Sequence, residues 1–160
     1  MTSFKNPAAF AKFLSAKANT LTAIKTKALS KAAKIVQADA RSRIGQYQAE
    51  AGPFPAWDPL TTATIQDKQR KGFGVPDPLL RTGQMRDSID IKIEEDGFAV
   101  GSRDPIARYQ ELGTEGPNPA SDGYHVPPRP FLGPALHENQ EEVVKIVTDD
   151  LVAWLKNKNR

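Results

Sequence analysis

Twelve of the chain's 13 prolines fall between Pro53 and Pro134, and the remaining one is Pro7. Proline removes a backbone donor and clashes with the preceding helical turn, so long helices are confined to the two flanks and the middle must be built from short pieces. The first flank opens on Asn6-Pro7, a capping residue followed by proline at the first helical position, and runs Ala-rich to about Ile44, ahead of Gly45. Phe10, Leu14, Leu21, Ile24, Ala28, Ala32, Ile35 and Val36 recur at spacings near three and four with lysines between them, the pattern of an amphipathic helix. A helix over about 7–44 would reach roughly 55 Å at 1.5 Å per residue. That exceeds what a compact domain of this length needs, so one end is expected to project or to pack on a neighbour. The other flank, about 134–156, places Leu136, Val143, Val144, Val147, Leu151, Trp154 and Leu155 on one face. Glu138, Glu141 and Glu142 come early in it and Lys156 last, the charge order that a helix dipole favours.

Between the flanks, Thr61 to Lys71 suits a short helix ended by Gly72, and Gly72 to Pro78 reads as a flexible loop. Ile89, Ile91 and Ile93 alternate with polar residues, Asp96-Gly97 forms a turn pair, and Phe98-Ala99-Val100 follows, which together signal a β-hairpin over about 88–101. Pro105 to Leu112 suits another short helix with Tyr109 and Leu112 as core candidates, and Val126 is placed in a further strand. Gly113 to Gly123 has little to bury and is expected to be an exposed, mobile loop, while the basic tail Lys156 to Arg160 is expected to fray. The expected fold class is α+β: a long N-terminal helix, a small antiparallel sheet built on the hairpin, and a C-terminal helix packed on that sheet. With no internal repeat or dividing linker, residues 1–160 are expected to form a single domain with a loop-rich middle over about 52–133.

Charge is distributed unevenly along the chain. Residues 1–48 hold nine basic side chains against the single acid Asp39, a balance of +8, so the remainder must carry −5 for the net charge to be +3. Such polarity suits attraction to DNA or to an acidic neighbouring subunit. Hydrophobic residues make up 39% of the chain and the mean hydropathy is −0.51, values that favour an elongated or partner-dependent fold. The chain has no cysteine, so disulfides, thiolate nucleophiles and Cys-based zinc sites are excluded. No apolar run approaches the ~20 residues of a membrane helix, and a soluble protein made in a cytoplasm is expected.

The middle also lacks a catalytic pattern. There is no phosphate loop, no nucleophile elbow and no dinucleotide fingerprint, and His125 and His137 have no partner at metal-ligand spacing. Glu111 lacks a second positioned group for acid–base chemistry and is expected to pair with Arg129 or Arg108. No enzyme and no cofactor are expected. What the middle does contain is three phrases in order: Leu80-Arg81-Thr82-Gly83-Gln84-Met85-Arg86-Asp87-Ser88-Ile89, Tyr109-Gln110-Glu111-Leu112-Gly113-Thr114, and Val126-Pro127-Pro128-Arg129-Pro130-Phe131-Leu132. In the first, Thr82 is expected to cap a helical turn, Gly83 to let the backbone pass closely, and Met85 and Ile89 to share a face. In the second, Gly113 is expected to take the positive φ that ends a helix. In the third, Pro130 and its neighbours stiffen a strut from which Arg129 is displayed, while Phe131 and Leu132 anchor the last helix.

In this order the phrases resemble the virion-morphogenesis and tail-component proteins of long-tailed double-stranded-DNA bacteriophages. Trp57, Leu60, Thr64 and Lys68 are similar to the segment that precedes the family's Thr-Gly phrase. Ala107-Arg108-Tyr109-Gln110-Glu111 departs from the common form of the second phrase. The resemblance implies a structural virion protein of the neck or tail end, assembled in the host bacterial cytoplasm. As partners it implies further copies of itself in a hexameric or dodecameric ring, and adjoining connector, head-closure, tail-tube or terminator proteins. Such a ring would join or complete the head–tail interface around the DNA channel, with no membrane involved. The partner or DNA-contact candidates are Lys27, Lys31, Lys34, Arg41, Arg81, Arg86 and Arg129. The motif residues Thr82, Gly83, Glu111, Gly113, Pro130 and Phe131 are expected to be structural. The alternative is a nonspecific nucleic-acid-binding protein that uses the basic N-terminal helix, although that helix is lysine-dominated and has few interleaved aromatics.

Overall fold

The computed structural model describes residues 5–114 and 125–156. Helix α1 runs Pro7–Arg43. Its start is fixed by Asn6, whose side-chain oxygen accepts the Ala9 N–H at 2.8 Å. It ends where Ile44 turns extended and Gly45 takes a φ of 105°. Four short elements follow: α2 (Thr62–Arg70), α3 (Gln84–Asp87), and the strands β1 (Ile89–Ile93) and β2 (Phe98–Ser102). The strands form an antiparallel hairpin with Ile91 opposite Val100 and Ile93 opposite Phe98. Then come α4 (Pro105–Leu112) and α5 (Leu132–Lys156).

Helices α1 and α5 lie antiparallel, as three polar ties along their length show. Arg43 pairs with Glu138 at 2.6 Å, Asn139 donates to Asp39 at 2.7 Å, and Lys31 pairs with Asp150 at 2.6 Å. Close approach is possible because α1 presents Ala28, Ala32, Ala33 and Ala40, each fully buried. The hairpin lies against the same helix. Gln37 and Arg41 both donate to the Ile89 carbonyl, at 2.8 and 2.6 Å, and so hold β1 to α1. Val36 and Ala40 of α1, with Ile44 just past its end, meet Trp57, Met85, Ile89, Ala107, Phe131 and Ala135 in one core. Fully burying a side chain such as Phe131 or Ile89 contributes about 1.5–3 kcal/mol.

The architecture is α+β, as the sequence implies: a long N-terminal helix, a two-stranded antiparallel sheet and a C-terminal helix packed on both. Three details differ. The last helix begins at Leu132, before Pro134, which sits in the first turn where its missing N–H costs nothing. Val126 is not in a strand; instead Thr114 and Val126 close the base of the intervening segment, the Thr114 N–H donating to the Val126 carbonyl at 3.0 Å. The stretch read as a flexible Gly72–Pro78 loop is organised around Lys68. The expected mobile loop over 113–123 and the fraying tail fall largely outside the described residues.

Candidate assembly surfaces

The second and third phrases converge on the start of α5. The Glu111 carboxylate accepts three successive backbone N–H groups, from Phe131 at 2.7 Å, Leu132 at 2.9 Å and Gly133 at 2.8 Å. A helix N-terminus leaves such donors unpaired and favours negative charge, so one side chain provides both. This corrects the expected ion pair with Arg129 or Arg108. Arg129 is corrected as well. Rather than being displayed, it is buried, donates to the Asp58 carbonyl from Nε and Nη2 at 3.2 and 3.0 Å, and has its pKa pulled down by that burial. Its own N–H donates to the Gln110 carbonyl at 2.6 Å. The indole of Trp57, also buried, donates to the Pro130 carbonyl at 2.9 Å. Arg129 and Trp57 thus fasten the proline strut to the Trp57-Asp58-Pro59 segment. Gly113, with φ 70°, ends α4 against the strut, where a Cβ would lie 2.9 Å from the Val126 carbonyl oxygen.

The first phrase forms α3 and the entry to the hairpin. Gly83, at φ 83°, takes the cap position itself, while Thr82 accepts the Gln84 N–H at 3.3 Å from one residue farther out. Met85 and Ile89 are both buried. Arg81 and Arg86 are exposed or partly so, yet each has a partner: Arg81 pairs with Asp67 and lies over the Phe73 ring at 5.4 Å, and Arg86 pairs with Asp87 at 2.9 Å. Hydrogen bonds from Lys71 and then Arg70, with Arg81 adding to them, hold the Asp67 carboxyl down at about 2. Lys68, by contrast, is buried, and its ammonium group donates to the carbonyls of Pro76, Asp77 and Leu80. Burial lowers its pKa. The sequence marks Lys68 by the family resemblance and by its place one turn beyond Thr64 on α2, but neither names the carbonyls it holds.

The basic candidates of α1 divide in the same way. Lys27, Lys34 and Arg41 are spaced by seven and so line one flank of the helix. Lys27 and Lys34 are exposed and make no ion pair among the described residues. Lys31, one turn toward α5, pairs with Asp150, and Arg41 spends its guanidinium on the carbonyls of Asp87 and Ile89. Arg43 is buried between Asp39 and Glu138. Burial alone would lower its pKa, but the two carboxylates outweigh that and raise it.

Exposed apolar surface is present, as the composition implies, but not where residue type alone places it. Tyr109 and Leu112, expected in the core, are 36% and 68% exposed and lie with Ile106 on the outer face of α4, because Ala107 is the residue that α4 buries. On another side, a groove of about 540 Å³ opens between α1, β2 and α5, lined by Leu29, Phe98, Val100, Leu132, Leu136 and Val143. Among the described residues no helix is long and apolar enough to cross a membrane.

A polar-fastened frame with unsatisfied apolar faces and a flank of free lysines is the make-up of an assembly component. The chain matches the phage virion morphogenesis family over residues 8–153, and it belongs to that family. It is accordingly a bacteriophage protein of virion structure and assembly. Neither the curated proteins nor the solved structures contain a match to it.

Proposed function

We propose that the protein is a structural joint at the neck or tail end of the virion, where copies close into a six-fold or twelve-fold ring around the DNA channel and join or complete the head–tail interface. The observation that carries this reading is α1. A 37-residue helix uses its second half for the core and leaves Phe10, Leu14 and Leu21 of its first half 45%, 49% and 39% exposed. A head-to-tail contact that closes on itself buries such surface without a second protein. The unpaired Lys27 and Lys34 supply a nonspecific phosphate-facing flank for passing DNA if that side of α1 lines the channel.

A stop codon early in the gene, with a complemented control, tests the role. Electron microscopy of the lysate should show filled heads beside separate tails of normal length, whereas normal joined particles would refute a joining role. The Lys27→Glu, Lys34→Glu variant, which spares the Lys31–Asp150 pair, should still assemble but lose DNA retention or ejection. Normal infectivity would remove the channel-facing assignment. Nonspecific nucleic-acid binding through α1 is the second reading, motivated by the same two free lysines, and duplex binding that persists at ~150 mM salt would favour it.

A further inference from the structure

Two surfaces of this molecule are complementary but cannot meet within one chain. The first is the part of α1 that outruns its packing partner. The last described turns of α5, at Ala153 and Trp154, stand beside Thr20 and Ile24, so the helix from Pro7 to about Ala18 extends past them. Phe10 and Leu14 lie at i and i+4 on one face of this extension, and Leu21 at i+11 continues that face beside the end of α5, all at least 39% exposed. Its charges are all positive: Lys5, Lys12 and Lys17, with no acid before Asp39.

The second is the open groove between α1, β2 and α5. Its walls are apolar, and Leu136 within it is 49% exposed. Acids stand around it. Glu94, Glu95 and Asp96 form the hairpin turn at the end where Gly97 and Phe98 line the groove, and Glu142 is exposed beside Val143 on α5. Of these, Asp96 already holds a lysine of α1, Lys25, at 3.1 Å. An apolar floor with acidic borders fits an amphipathic helix whose polar flanks are lysines.

Resting on the ring reading above, we infer that the groove receives the projecting first turns of α1 from a second copy. The helix cannot fold back into its own groove. Leu29, which lines that groove, belongs to the same unbroken helix as Leu14, so the two stay roughly 22 Å apart at 1.5 Å per residue. Each chain thus offers one knob and one socket on different parts of its surface, a heterologous contact that repeats in one direction and closes only as a ring.

The test uses the full chain and its natural lack of cysteine. Mass measurement by sedimentation across a concentration series should show self-association in the parent protein. Leu14→Asp with Leu21→Asp, and separately Leu136→Asp, should each weaken it about tenfold or more, as expected for losing a buried leucine or two. All three positions are exposed, so far-UV circular dichroism and the unfolding midpoint should not change. Mixing a Leu14→Cys or Leu21→Cys protein with a Leu136→Cys protein under mild oxidation should give a mixed disulfide dimer across copies. Loss of association in the Leu136→Asp protein alone would mean that the groove takes some other segment, and would overturn the inference. Assemblies of unchanged mass in both variants, without the mixed disulfide, would overturn it while leaving a ring built on other faces intact. A protein that stays monomeric throughout would overturn it as well, and the stop-codon lysate would still decide the virion role.

Discussion

The two halves of α1 have the same helix-forming composition and opposite fates. All seven residues that α1 buries lie within Ala28–Arg43, and Pro7–Lys27 buries none. Apolar periodicity runs through both halves, so periodicity alone does not decide what becomes core. The second half meets the hairpin and α5, and its alanines let them close in. The first half keeps a capped, amphipathic turn pattern and leaves Leu14 and Leu21 49% and 39% exposed. Helix nucleation is costly and propagation cheap, so the packed second half can carry the helix on through the first.

The sharpest way to break the comparison is through the core that the second half serves. Phe131→Ala, at a fully buried position, should cost about 3–5 kcal/mol in denaturant unfolding. A loss below ~1 kcal/mol would mean that the core is not closed around α5. Glu111→Ala should cost about 2 kcal/mol, because three N–H groups at the start of α5 lose their common acceptor. The same variant should raise amide exchange at Phe131 to Gly133 before it raises exchange in α1. A pH series addresses the Asp67 cluster. Its folded pKa lies at about 2 against an ordinary 3.8, so the stabilisation is present above the ordinary value and is lost as pH falls from about 4 toward 2. Asp67→Asn should remove that part of the acid slope and leave the neutral-pH fold intact. The smallest effect belongs to the projecting half: Leu14→Ser should change the unfolding free energy of dilute protein by less than ~0.5 kcal/mol while weakening assembly.

What was legible in the residues follows the range of the forces involved. Asn6-Pro7, the proline-free flanks and the Ile-x-Ile-x-Ile alternation act over a few residues, and they place α1, α5 and the hairpin to within two residues. The roles of the charged residues act over long separations and were not legible. Glu111 reaches 20 residues along the chain to Phe131, Arg129 reaches 71 to Asp58, and nothing near either residue names its acceptor or donor. Lys68 was hidden because a lysine is expected outside, whereas here it is surrounded by three backbone carbonyls. Tyr109 and Leu112 were misplaced because residue type was followed, while the small Ala107 is what lets α4 approach the core. The groove has no signature at all, since its walls come from three elements that only the fold brings together.

The place of the first turns of α1 in the assembled particle is the most direct test. Electron cryomicroscopy of the virion neck and tail end should show this chain as a closed ring, with Phe10, Leu14 and Leu21 of each copy seated against Leu136 and Phe98 of the next. Particles that lack the chain, or a ring in which that stretch of α1 touches no neighbouring copy, would contradict it.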